Sequence, residues 1–201
     1  MAVKKRRTQA ERREEAETRL LVETIKLVGE CGYDGFTLAD VAEAAGYSRG
    51  LPAHYFGSKE GLLARVVEYV TQDYHDSIAK NPEILHGLPA LENLVHTYVR
   101  VNGAPIRTFQ ILTAQALVRS GLKMTMSRLT NQSLKSIEKE IRAGIELGNI
   151  RKDIDVSAHA AMIYSFLRGQ LAFAAFDRDF DQEAAGKEFI ETMRARLGLG
   201  N

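Results

Sequence analysis

A single cysteine, Cys31, stands in the 201-residue chain. It excludes an internal disulfide and a thiolate metal centre built from this chain alone, and it fits a reducing compartment. Prolines number only four and glycines 16, which excludes collagen-like and proline-rich disordered chains. No charge of one sign dominates. Lys and Arg total 27 against 26 Asp and Glu, a formal charge of +1, so the chain is neither polybasic nor polyacidic, although local patches remain open. Long hydrophobic runs are missing too: the longest stretch without Asp, Glu, Lys or Arg, residues 156–167, has twelve residues. A bilayer span needs roughly 20, so no membrane partner is expected. The basic residues near the start have no apolar run behind them and do not read as a secretory signal. What is there, 45% hydrophobic and 26% charged residues, is the composition of a soluble globular protein of one or two domains, expected in the cytoplasm.

The apolar spacing is helical almost throughout, without the alternation a half-buried strand needs. The expectation is an all-α fold of about nine helices. Thr8-Gln9-Ala10-Glu11 reads as a capping box opening a first helix, which carries Leu20, Leu21, Thr24, Ile25, Val28 and Cys31 on one face. Gly32 suits its C-cap, and Asp34-Gly35 a turn. Thr37 with Asp40 opens a short second helix to about Ala45, and Gly46 closes it. Ser48 is expected to cap a third helix through about Phe56. Ser58 caps a longer one with Leu62, Leu63, Val66, Val67 and Val70 inward. Beyond Pro82 longer helical segments follow, with breaks at 82–89, 103–105, 120–121, 148–149 and 177–181, and no repeat of the solenoid kind.

The stretch from Phe36 to Phe56 carries the most information. Two short helices around a glycine turn match a helix-turn-helix, in which a braced helix enters a major groove about 12 Å wide. Val41 and Ala42 suit the bracing face, and Ala44, Ala45 and Gly46 keep the turn small. Ser48, Arg49 and Gly50 fall at the start of the second helix, where free N–H groups favour a phosphate. Arg49 can fork onto guanine O6 and N7 or onto a phosphate. His54, Tyr55 and Lys59 offer further donors. A short helix pair around a glycine also occurs in many all-α proteins that bind no DNA.

Residues 19–70 resemble the DNA-binding domain of the tetracycline-repressor (TetR) family of bacterial regulators. The resemblance rests on Gly32-Tyr33, Phe36-Thr37, Asp40-Val41-Ala42, Ala45-Gly46-Tyr47-Ser48, Arg49-Gly50, Tyr55-Phe56, Ser58-Lys59-Glu60 and Leu62-Leu63, in order and without a gap. It weakens beyond about Ile78. It implies that Thr37 contacts phosphate, that Ser48, Arg49, Gly50 and Leu51 approach bases or phosphates, and that His54, Tyr55 and Lys59 add backbone or groove contacts. Two positions depart from the family pattern. Ala53 stands where many members have Tyr, which removes one phosphate contact. Pro52 stands where they have an aliphatic residue; lacking an N–H about four positions into the helix, it implies a late start or a tilt.

The organisation expected is a flexible basic arm (1–8), a helix-turn-helix domain (9–70, the motif at about 37–56) and a regulatory and dimerisation domain (71–201). The arm carries Lys4, Lys5, Arg6 and Arg7, either to lie along phosphates or in a minor groove, or as a solubilising tail. Through Gly61 there are ten basic and ten acidic residues, so a positive face depends on placement.

A single helix-turn-helix reads few base pairs, so a homodimer on a palindromic double-stranded operator is expected. The helix from about 156 to 176 sets Ala158, Ala161, Ser165, Gly169 and Ala172 at helical spacing. With Phe189, Ile190 and Met193 of the last helix they are candidates for a four-helix dimer interface, or for closing the monomer core. The resemblance also implies a cavity for a small-molecule effector, with Tyr69, Tyr74, His75, His96, Tyr98, Phe109, Gln110, Gln115 and Met126 as candidate lining or as ordinary core and surface.

Nothing points to an enzyme, a cofactor or a metal. His54, His75, His86, His96 and His159 are scattered, and no metalloprotease, Walker or dinucleotide pattern appears. Asp177, Asp179 and Asp181 alternate, with Glu188 at the closing offset of a calcium loop. Gln182 replaces the glycine such a loop needs, so they read as a solvated turn and cap. The expectation is a ligand-responsive dimeric transcriptional repressor. The alternatives are an architectural or division-linked DNA binder without an effector, and an all-α small-molecule binding protein.

Overall fold

Two local devices start the chain's helices where the sequence places them. Thr8 accepts from the Glu11 N–H while the Glu11 carboxylate accepts from the Thr8 N–H, and Thr37 and Asp40 repeat the arrangement. Each such box satisfies two N–H groups that a helix start leaves without partners. A computed structural model describes residues 8–79, 85–177 and 179–199, with the side chains of 73–79 outside the description. Among these residues nine helices follow in order: α1 (Gln9–Cys31), α2 (Leu38–Ala44), α3 (Leu51–Phe56), α4 (Lys59–Ala79), α5 (Leu88–Tyr98), α6 (Ala104–Ala116), α7 (Ser120–Glu146), α8 (Val156–Phe176) and α9 (Gln182–Leu197). None of them is long and apolar enough to cross a membrane.

The helices close around two cores. The first joins Leu20, Leu21, Ile25 and Val28 of α1, Val41 of α2, Leu62, Leu63, Val66 and Val67 of α4, and Tyr33 and Phe36 between α1 and α2. It also takes Leu112 and Ala116 of α6 and Leu122 of α7, so the end of α6 and the start of α7 brace the amino-terminal helices directly. The second joins α5, α7, α8 and α9 through Leu91, Val95, Ile137, Ile141, Ile163, Leu167, Ile190, Met193 and Leu197. Each fully buried aliphatic side chain contributes roughly 1.5–3 kcal/mol of transfer free energy. The 27-residue α7 spans both cores, and at 1.5 Å rise per residue it is about 40 Å long.

Polar contacts tie the halves together. Buried Thr108 of α6 donates to the Ile25 carbonyl of α1 at 2.9 Å. Arg65 of α4 pairs with Glu17 of α1 and with Glu68, which also meets Arg128 of α7. Arg119, at the α6–α7 corner, lies over the Tyr33 ring at 3.9 Å and pairs with Asp34.

Candidate nucleic-acid interface

α2 is anchored at its N-cap and on its inner face. The Thr37 hydroxyl accepts from the Asp40 N–H at 3.3 Å and donates to the Asp40 carboxylate at 2.8 Å. Hydrogen bonds from the Thr37 backbone and then its side chain hold the Asp40 carboxyl below the usual carboxylate range. Val41 and Ala45 are buried in the first core, Ala42 is also buried, and Gly46 turns the chain with φ of +73°. In that left-handed region glycine carries no Cβ penalty.

The second helix starts later than a cap at Ser48 would give. Ser48 makes no capping bond. The Leu51 N–H donates to the Ser48 carbonyl in a turn, Gly50 is the N-cap, and α3 runs from Leu51 with Pro52 in its first turn. Proline belongs there because its missing N–H is one that a first turn leaves unbonded anyway. Pro52 is buried, and Leu51 packs half-buried against the first core. Ser48, Arg49 and Gly50 therefore precede the helix, and all three are exposed. Arg49 makes no hydrogen bond or ion pair among the described residues. Ala53 and His54 are exposed, and Tyr55 is half-buried with Arg13 of α1 5.6 Å from its ring centre. Arg13 is a cation beside this face that the motif spacing gives no reason to single out.

Lys59 is held inward. Its ammonium donates to the Phe36 carbonyl and sits 4.1 Å from the Phe36 ring centre, and burial pushes its pKa down. It fixes the start of α4 to the α1–α2 connection, and only its remaining N–H directions are open to a phosphate. The arm residues Lys4, Lys5, Arg6 and Arg7 lie outside the described residues.

Further along the chain, α4, α6, α7 and α8 line a cavity of about 310 Å³ that opens to solvent, with the segment from Tyr98 to Asn102 on one side. Of the residues expected to line it, Tyr98 and Phe109 do. Tyr69 and Met126 pack against the first core instead, and His96 is exposed. Gln115 accepts from Arg119, and Gln110 is half-buried away from the cavity. The side chains of Tyr74 and His75 lie outside the described residues. The polar lining missed in the sequence includes Thr71, Arg100, Asn102, Ser133, Tyr164 and Arg168. Helical spacing marks where a core face runs, but not where it stays unfilled.

On α8, Ala161 and Ser165 are exposed and Gly169 and Ala172 half-buried, beside exposed Met162, Phe173 and Phe176. Ile190 and Met193 of α9, expected with them at an interface, are buried in the protomer's own second core. Half-buried Phe189 stacks on Phe166 with ring centres 3.8 Å apart. Asp181 accepts from the Ala184 N–H and caps α9, which accounts for one of the alternating aspartates.

An exposed turn and short helix held out by a braced neighbour make a helix-turn-helix, an arrangement that fits a DNA major groove. Residues 20–66 match the family model for bacterial regulatory proteins of the tetR family. The HTH-type transcriptional regulator CymR of Pseudomonas putida is 46% identical over 66 residues, covering 33% of this chain and 32% of that protein. The HTH-type transcriptional regulator BetI of Burkholderia thailandensis is 28% identical over 173 residues, covering 82% of this chain and 87% of that one. The fold also matches a solved transcriptional regulator from Saccharomonospora viridis in complex with choline, with a TM-score of 0.78 at 16% identity over 93% of this chain and all of that one. Residues 20–66 thus match the DNA-binding domain of the TetR family, and over most of its length the chain is similar to HTH-type transcriptional regulators.

Proposed function

We propose that the protein is a dimeric repressor released from a palindromic operator by a small molecule. Residues 9–70 read DNA, and residues 71–201 dimerise and sense. The observation that carries this reading is that Val70 belongs both to the first core and to the cavity wall. A molecule entering the cavity meets α4, the helix whose start Lys59 clamps to the helix-turn-helix. An effector that fits only one placement of α4 shifts the population toward it. A nearly complete switch needs about 5.5 kcal/mol of differential affinity. A protein of similar fold crystallised with choline supports a small-molecule-binding role.

The proposed contacts are Arg49 with a base or phosphate, Thr37, Ser48 and Gly50 with the backbone, and His54 and Tyr55 with the groove edge. Leu51 and Lys59 are proposed to contribute by their exposed atoms, and Lys4, Lys5, Arg6 and Arg7 by phosphate neutralisation. The proposed dimer face is α8 through Ala161, Ser165, Gly169 and Ala172, flanked by Phe189.

The test is fluorescence anisotropy with duplexes tiled across the chromosomal segment upstream of the gene. One palindromic segment bound at least a hundredfold above the others at near-physiological salt supports the reading. Uniform binding across all segments removes sequence-specific regulation.

A further inference from the structure

The cavity walls differ sharply in character. Val70, Ile106, Phe109, Leu129 and Leu171 make an apolar body. Against it stands Arg168 of α8, half-buried, with its guanidinium 4.3 Å from the Phe109 ring centre and one amino group donating to the Thr113 hydroxyl at 3.0 Å. Stacking on Phe109 and the bond to Thr113 fix the plane of the fork. Among the described residues no carboxylate pairs with Arg168, and none of the cavity's lining side chains is acidic. A partly desolvated guanidinium without a counter-charge is unfavourable until an anion meets it.

Two further features have the same sign. Arg100, just after α5, lines the cavity and is exposed. The start of α6 also borders it through Asn102, Pro105 and Ile106. Its N-cap, Gly103, offers no side chain to the free N–H groups, so the positive end of the helix dipole is uncapped there.

We infer that the cavity takes a small monocarboxylate with an apolar body, its carboxylate on the Arg168 fork and its body against Phe109, Leu129 and Leu171. Paired N–H donors in one plane match a carboxylate's two oxygens, whereas an ammonium ligand meets like charge without an acidic partner. A volume of about 310 Å³ is at the small end of ligand sites and favours a one-ring or medium-chain acid. This deepens the effector reading above and rests on it.

The test uses matched sets of carboxylate, primary amide and primary amine on benzyl, phenylethyl, cyclohexyl and straight C6–C10 bodies. Binding to the full-length protein is followed by thermal shift and calorimetry, with choline as an added cation. The expected result is stabilisation by carboxylates, at least tenfold tighter than the amides, with no response to the amines or to choline. Arg168→Met keeps the aliphatic length and should remove the carboxylate preference. Arg100→Gln, on the exposed side, should weaken it severalfold and guards against a folding defect in the first variant.

Equal binding of amides or amines, a preference that survives in both variants, or no binding across the panel overturns the inference. Release of the operator duplex is scored separately. Carboxylates that bind in the cavity without releasing DNA leave the ligand class standing and remove the effector role. Amines that release DNA do the reverse.

Discussion

Arg49 and Lys59 are both basic residues flanking the reading turn, yet their surroundings give them different parts. Arg49 is exposed and unpaired among the described residues, so its removal costs the fold little. Arg49→Ala should leave the melting temperature unchanged and weaken operator binding by about 1–3 kcal/mol, the usual cost of a lost guanine fork, as read by anisotropy. The Lys59 ammonium bonds the Phe36 carbonyl, so Lys59→Met should lower stability by about 1–2 kcal/mol in urea melts as well as weaken DNA binding. The sequence marked both as cations near a groove. It had no means of separating them, because the carbonyl that holds Lys59 lies in a different connection of the fold.

The capping carboxylates were legible for the opposite reason, since their partners are three residues away. Their charge has a pH consequence. Asp40 titrates below its ordinary value through the Thr37 bonds; Asp153, an exposed carboxylate in the α7–α8 connection that caps no helix, is likewise held at about 2, chiefly by hydrogen bonds from Arg151 two residues before it. A carboxyl with a depressed folded pKa contributes stability that is complete above the unfolded value, about 4. That contribution is lost as pH falls through the folded value. Thermal melts should therefore decline between pH 4 and 2, and Asp40→Asn should show a shallower decline over that window and a lower melting temperature at pH 7.

At the scale of the element, the third helix teaches most. Serine before a helical run usually signals an N-cap, and Ser48 drew that reading. Pro52 is the stronger determinant. Its fixed φ suits the first turn and its ring clashes further in, so the helix begins at Leu51 and residues 48–50 become an exposed turn. The late start expected from Pro52 was sound, while the cap expected at Ser48 was not. The turn before it depends on Gly46, whose φ of +73° disfavours a side chain. Gly46→Val should cost about 1–2 kcal/mol and detach α3 from its brace, seen as a lower urea midpoint together with lost DNA binding.

For the whole molecule, the all-helical architecture was readable because period and breaks are local properties of the chain. The division of surfaces was not. Ile190 and Met193 share the apolar spacing of an interface, but they fill the second core. On α8 the small residues remain outward, and a Cβ on Gly169 would meet nothing within 4 Å in the protomer. Gly169→Trp should therefore fold normally as a protomer, run as a monomer in light scattering, and lose operator affinity at least tenfold. A dimer of unchanged affinity would move the interface elsewhere. The cavity was equally hidden: Tyr98 and Phe109 were found by residue type, whereas Arg168 gains its place only when α8 crosses α6.

The central claim is that residues 48–56 read bases from two symmetric copies at once. Selection of bound duplexes from a random-sequence library, with the wild type and Arg49→Ala in parallel, tests it most directly. The account predicts that the wild type recovers a palindrome whose half-site centres are an integral number of duplex turns apart, about 10 base pairs or a multiple, and that Arg49→Ala relaxes the same position in both halves. Recovery of no preferred sequence, or of an asymmetric site indifferent to Arg49, would contradict it.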